Sequence, residues 1–399
     1  MVLSFAVLRV TGSVGRLGLV LACQSAAALL LTLGGGLAGD RFARGRIMII
    51  SLAVRMTVAA TLAAALLTRT ASFGLLLAMA GIYGCADGFF GPVSVALLPD
   101  VVPRAELGRA NALVGGTISS ARIAAPAMAG VIVGVLGPGS GFALQAVVLA
   151  VAAGCLAAAR LPAGRAASAI RTAAIRTAAD LAAADRAAAD RAGPLRQLQA
   201  GWKEFASRRW LWLLTGEWTV FSMIVLAPVA VLGPALAEHY LGGALAWGVI
   251  GSCLSLGAVG GQVIAGRIRP PARPALVIAC LVPFMTGEAL ALGLGAPLAV
   301  VALAAASTGL AIGSQAVIFA TAMQTSVQPE VLSRVSSIDL LASEGGQPIG
   351  YALAGPLAAA VGPHAFLEAG AAGMLVASAA FALLRPLRFR LVLCEPSPD

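Results

Sequence analysis

Between two apolar runs the chain reads Gly36-Leu37-Ala38-Gly39-Asp40-Arg41-Phe42-Ala43-Arg44-Gly45-Arg46. Upstream, residues 17–37 carry no charge, and downstream, residues 47–67 carry only Arg55. Each run has roughly the 20 residues that a helix needs to cross a hydrocarbon core about 30 Å thick. The quoted stretch is therefore the turn of a membrane hairpin. Its glycines allow two helices to approach closely. An aspartate at a helix end can pair with an arginine or with a neighbouring helix N-terminus, and the arginines keep the turn in water.

The rest of the chain repeats this pattern. Of its 399 residues 59% are hydrophobic and only 11% charged, against about 25% charged in a soluble domain. Too few charges remain to cover a water-facing surface, so the solvent is lipid and the spans are helices, the all-α class of membrane protein. The shorter, alternating strands of an outer-membrane barrel are absent from the pattern. Hydropathy places full spans near residues 17–37, 47–67, 73–98, 110–136, 141–160, 210–236, 245–266, 274–293, 297–322, 337–360 and 364–384. Ahead of these eleven lies a stub, Met1 to Val10, followed by Thr11-Gly12-Ser13. Ten helical residues reach about 15 Å, half a bilayer. The stub lacks the basic start and cleavage site of a signal peptide. It reads as the outer end of a first helix, with the true start about twenty residues upstream of Met1.

The basic residues orient the spans. Of the 27, 22 fall in one alternating set of loops and tails, from Arg41, Arg44 and Arg46 to Arg385, Arg388 and Arg390. By the positive-inside rule that set faces the cytoplasm. This leaves the long 161–209 loop and the C-terminus inside, in the inner membrane of a bacterial-type cell. The same spread answers the suggestion of nucleic-acid binding raised by the net charge of +10, because no single face gathers the charge. Five of the six cysteines (Cys23, Cys85, Cys155, Cys253 and Cys280) sit in apolar runs as small hydrophobes, and no metal-ligand spacing occurs.

The organisation expected is an N-terminal transmembrane bundle over 1–160, a linker over 161–209, a C-terminal bundle over 210–385 and a tail over 386–399. Within the linker, 169–193 is an alanine-rich five-residue repeat. Five copies are too few to bury a solenoid core, so it reads as a partly helical tether. The two bundles match at an offset of 225 residues. Leu107-Gly108-Arg109, Gly130 and Gly137-Pro138 correspond to Leu332-Ser333-Arg334, Gly355 and Gly362-Pro363, and Gly35-Gly36 corresponds to Gly260-Gly261. Duplicated halves around a central loop are a transporter architecture, with the substrate held near mid-membrane.

The turn that opens this section resembles the signature loop of the major facilitator superfamily: a glycine, Asp-Arg four residues later, then a basic cluster. The usual glycine two residues after Arg41 is Ala43 here. In the family the loop latches a gate on the inner side, a role that would fall to Gly36, Asp40, Arg41, Arg44 and Arg46. A second stretch runs from Gly81, through Ala86-Asp87-Gly88, Pro92, Pro99 and Pro103, to Leu107-Gly108-Arg109-Ala110-Asn111-Ala112-Leu113. It is similar to the enterobactin-exporter and macrolide-efflux branch. The resemblance implies two six-helix bundles, the first helix truncated here, and efflux of a small molecule such as a drug, macrolide or siderophore. It also implies a monomer whose partners are that substrate and the lipid bilayer. In exporters of the family the following span carries a small-residue ladder ending in Gly-Pro; here Ala125, Pro126 and Gly130 keep only its outline, equally consistent with ordinary close packing.

A charge inside a span is a functional hypothesis by default. Asp87, Glu217, Glu288, Glu344, Arg55 and Arg122 are the candidates, with Asp339 and Glu368 nearer span ends. Proton-driven export needs a carboxylate that loads from one side and empties to the other. Glu217 and Glu344 suit that role, or the attraction of a cation, because they fall in expected pore-lining helices. Arg122 is the expected partner of Asp87, and Arg55 is either a cavity residue or a latch partner for the cytoplasmic loop. Trp218 and Phe221 are candidate cavity walls. No phosphate loop, metal cluster or Ser/His/Asp set occurs, so the chain reads as no enzyme, without a cofactor, driven by an ion gradient, in all expectation protons. A degenerate, non-transporting sensor and an importer remain as alternatives.

Overall fold

Lipid offers no hydrogen-bond partner, so an apolar run must satisfy its backbone internally, and it does so as helix. The computed structural model describes residues 1–41, 44–102, 106–159, 202, 205–268, 271, 273–327 and 329–383. Among them every long element is helical. The first half contains α1 (Val2–Thr11), α2 (Val14–Arg41), α3 (Arg44–Leu67), α4 (Phe73–Val101), α5 (Leu107–Leu136) and α6 (Pro138–Ala158). The second contains α7 (Arg209–Leu241), α8 (Gly243–Arg267), α9 (Pro274–Gly293), α10 (Leu298–Ser326), α11 (Pro329–Val361) and α12 (Pro363–Leu383). The bulk of the tether, 160–201, and the tail, 384–399, lie outside the described residues.

Among the described residues nine helices are each long and apolar enough to cross a membrane. The eleven spans expected from hydropathy thus resolve into these nine and a final pair. That pair, Val335–Val361 and Pro363–Ala380, passes the same test only jointly, and it bends by 118°. The bend falls at Gly362, whose φ of 89° a side chain would resist, and Pro363 then opens the next helix. Gly137, 225 residues earlier, has φ 86° and is followed by Pro138 in the same role. Helix α1 is short but docked: Phe5, Ala6 and Val7 are fully buried, and α1 packs on α6, α2 and α4.

The chain divides into two compact units. One holds α1–α4, α6 and both ends of α5; the other holds α7–α12 together with Ala121–Val131 of α5. In the first unit Gly84 and Gly88 of α4 rest on the backbone of α2 at Gln24 and Ala28, leaving no room for a Cβ. In the second unit Gly309 and Gly313 of α10, the same positions plus 225, rest on Leu254 and Ala258 of α8. There the seam is reciprocal, because Gly257 and Gly261 of α8 rest on Ala306 and Leu310 of α10. Small residues on both sides let the two helix backbones touch.

Two helices of the second unit are irregular. Helix α7 contains five-residue π turns at Ser222–Leu226 and Ala237–Leu241, with Pro228 and Pro234 between them. Helix α9 breaks at Thr286, between Pro283 and Gly287. A break in lipid strands backbone groups, and a neighbouring side chain can satisfy them. Thr308 of α10 does so: its hydroxyl accepts from the Glu288 N–H (3.1 Å) and donates to the Phe284 carbonyl (3.0 Å).

Candidate functional site

The site grows from a stripe of hydroxyls on α7. Thr215, Thr219 and Ser222 recur at helical spacing, so all three face one neighbour, α11. Each hydroxyl shares its proton between its own helix and that neighbour. Thr215 donates to the Leu211 carbonyl (2.9 Å) and to Asp339 Oδ1 (2.5 Å). Thr219 reaches the Ala342 carbonyl (2.9 Å), and Ser222 the Ser343 carbonyl (3.3 Å). Gly346 and Gly350 make the approach possible, since a Cβ at either would press on the α7 backbone at Thr219 or Met223.

Where α7, α10 and α11 converge, a cavity of about 230 Å³ opens, lined among others by Thr215, Trp218, Gln315, Asp339, Ser343 and Glu344. Two carboxylates face it, one of them oriented by Thr215. Gln315 is only 6% exposed, and its buried Oε1 has no hydrogen-bond partner among the described residues. Trp218 leans on the buried Phe221 with ring centroids 5.5 Å apart. Thr215 lies about 9 Å inside the start of α7, and Gln315 about 16 Å inside the end of α10, at 1.5 Å per residue. One turn nearer those helix ends, Trp210, Leu211, Ile278, Ala322, Val335 and Ile338 form an apolar cluster. Arg208, at the start of α7, donates to the Ser326 carbonyl that closes α10.

Glu344 and Trp218 both line this cavity. Glu217 does not line it. It is 4% exposed on another face of α7, and neither carboxylate oxygen has a hydrogen-bond partner among the described residues. Glu288 is buried at the break in α9, where Thr308 holds its backbone. Asp339, set aside in the sequence as close to a span end, is central to the cavity, and Gln315 and Thr215 were not singled out at all. The hydroxyl stripe was the available signal for Thr215.

In the first unit Asp87 takes a different partner from the one expected. Arg55 of α3 pairs with it at 3.2 Å, while Arg122 is exposed on α5. The reason is local: Arg55 also donates to the Tyr83 hydroxyl (2.7 Å) and stacks over the Tyr83 and Phe90 rings at 4.8 and 5.4 Å. Gln145 of α6 donates to the same hydroxyl (3.2 Å). These contacts hold Arg55 between α3 and α4.

Of the gate-loop residues, Asp40 and Arg41 fall in the last turn of α2 rather than in a loop. The side chains of Gly36, Asp40, Arg41 and Arg44 lie outside the described part. Arg46 is exposed at one end of an apolar groove of about 510 Å³ between α3 and α4. Its polar wall residue Ser51 already donates to the Ala86 carbonyl (2.7 Å). Of the small-residue ladder, Pro126 and Gly130 pack on Gly248 and Gly251 of α8 within the second unit, and Ala125 is exposed. Ser252 of α8 donates to the Ile123 carbonyl there (2.9 Å). This is close helix packing.

Comparison with known proteins adds the following. The sequence profile of the Major Facilitator Superfamily matches residues 1–351. The curated proteins give no match to this sequence. Among solved structures, a bacterial homologue of the human lysosomal transporter Spinster, inward-facing and unoccupied, superposes with TM-score 0.65 at 15% identity. That superposition covers 97% of this chain and 94% of that one. The occupied form of the Spinster homologue gives 0.66 at 14%, covering 100% and 96%. A mutant of the peptide transporter POT in complex with alafosfalin gives 0.70 at 15%, covering 94% and 87%.

Proposed function

We propose that this chain, which belongs to the Major Facilitator Superfamily, exports a small molecule against its gradient at the expense of a proton gradient. Membership makes it a membrane transporter rather than an enzyme. Proton coupling, outward direction and the identity of the cargo are the proposal. It works by alternating access as a monomer in a bacterial-type cell membrane, with the 161–209 tether and the C-terminus in the cytoplasm. It uses no cofactor.

The observation that carries the proposal is Glu217. It is a carboxylic side chain buried in a span, and neither of its oxygens has a hydrogen-bond partner among the described residues. Such a group is a proton carrier by construction. The cavity of α7, α10 and α11, lined by other residues of the same helix, is nearer the helix ends that the positive-inside rule assigns to the cytoplasm. Cargo therefore loads from inside. Asp87 and Arg55 neutralise one another and stay out of the cycle, and the gate-loop arginines hold the inner turn in water.

The test is flux of a panel of macrolides, dyes and siderophores in proteoliposomes, with and without a proton gradient. Gradient-dependent extrusion of at least one compound, lost in Glu217→Gln, is the expected result. Movement in the opposite direction would mean an importer. No gradient-dependent movement of any compound would favour a sensor.

A further inference from the structure

We propose that the groove between α3 and α4 binds one anionic phospholipid of the cytoplasmic leaflet, with the headgroup on Arg46 and an acyl chain along the groove. Neither proton coupling nor export is needed for this. Ile47, Ile50 and Val54 recur on one face of α3, and Ile82, Ala86 and Phe89 on one face of α4, and these faces are the walls. Ser51 lies among them, but its hydroxyl is spent on the Ala86 carbonyl (2.7 Å). Above Arg46 the walls therefore suit hydrocarbon rather than a polar ligand. Ile50 and Ile82 are 56% and 43% exposed, so the described protein does not close the groove.

Depth and charge select the occupant. The apolar stretch of α3 starts at Gly45, next to Arg46, and that of α4 ends at Gly91, close to Phe89. From Arg46 to Val54 the wall rises about 12 Å at about 1.5 Å per residue. That is most of the roughly 15 Å half-thickness of a hydrocarbon core. The groove thus runs from the membrane surface towards mid-membrane within one leaflet, the path of an acyl chain. Arg46 is exposed at its mouth, on the side that the positive-inside rule assigns to the cytoplasm, where anionic lipids gather. A guanidinium offers a phosphate two parallel N–H groups, and no carboxylate lines the groove among the described residues. The matching place in the second bundle differs on both counts. At the offset of 225 residues Arg46 becomes Pro271 and Ile50 becomes Ala275. Ala275 is 1% exposed, inside the apolar cluster of Trp210, Leu211 and Ile278. There the cation is missing and the wall is covered.

The experiment titrates phosphatidylglycerol, or phosphatidylcholine with the same acyl chains, into the full chain in detergent and reads bound lipid by native mass spectrometry. The first phosphatidylglycerol should bind about fivefold more tightly than phosphatidylcholine, the scale of one basic side chain at a membrane surface. Arg46→Gln should erase that preference, and Arg46→Lys, which keeps the charge, should retain most of it. Ile50→Trp leaves Arg46 in place and fills the groove, so it should weaken both lipids and keep their ratio. Both substituted positions are exposed, which keeps the fold out of the comparison. Arg267→Gln, at an exposed arginine on the same side of the membrane, should change nothing. An equal loss there would mean that surface charge in general holds the lipid, and would overturn the assignment. So would an unchanged preference in Arg46→Gln. Displacement by glycerol 3-phosphate at equal concentration would make Arg46 a site for soluble anions and overturn it as well. A dimer that Ile50→Trp splits would do the same, because the groove would then seat a second copy of the chain.

Discussion

The two bundles treat buried charge in opposite ways. On α3 and α4, Arg55 faces Asp87 at 3.2 Å, is gripped by Tyr83 and is roofed by Phe90. Both Nη groups of the guanidinium have partners, while its buried Nε has none among the described residues. On α7, α10 and α11, Glu217 and Gln315 are buried with acceptors that have no partner among the described residues, and Asp339 and Glu344 share a cavity whose described wall has no basic side chain. A charge paired where it stands makes a fixed strut. A buried acceptor without a partner is rare and costs free energy. The proposed coupling residue, Glu217, lies in the second bundle.

The contrast can be broken most directly at Glu217. Glu217→Gln, similar in size and without a proton to release, should abolish gradient-driven flux. Unimpaired flux in that variant would remove the distinction between the bundles. Next in size is Thr308→Val, which strands the Glu288 N–H and the Phe284 carbonyl. It should destabilise the protein by about 2 kcal/mol in thermal unfolding, and a loss near zero would mean that α9 does not need the stitch. Arg55→Met comes third. With Asp87 half exposed, the loss should be only about 1 kcal/mol, and flux should persist. The smallest effect sharpens the picture. A double-mutant cycle between Arg55→Met and Asp87→Asn should give a coupling under about 1 kcal/mol, and a larger value would mean that the strut is more deeply buried than the second bundle's acceptors.

Span positions were legible because lipid imposes a length and because prolines and glycines punctuate it. The run read as 274–293 is Pro274–Gly293, and 245–266 is Gly243–Arg267 within a residue or two. The duplicated Gly-Pro turns were visible for the same reason: φ near 90° at Gly137 and Gly362 singles out one residue type. Pairings across helices were not legible. Asp87 could not be assigned to Arg55 over Arg122 from spacing alone, because helix rotation decides which face meets which. Asp339 reads as a span-end residue until Thr215, 124 positions away, is seen to donate to it. Gln315 carries no charge to draw attention, and its significance lies in a bond it lacks. The gate loop was the strongest motif in the sequence, yet it says nothing about these residues, since a latch is written in local spacing and a binding cavity is assembled from three helices.

The reciprocal glycine seam of α8 and α10 has one more consequence. Where backbone rests on backbone there are no rotamers to exchange, so this pair has a single stable spacing and travels as a stiff spar through any cycle. Compliance has to come from elsewhere, and α7, with two π turns and two prolines on the cavity side of the same bundle, is the jointed member. Hydrogen exchange should separate them: slow amides along the spar, fast ones around Ser222–Leu226, with cargo slowing only the latter.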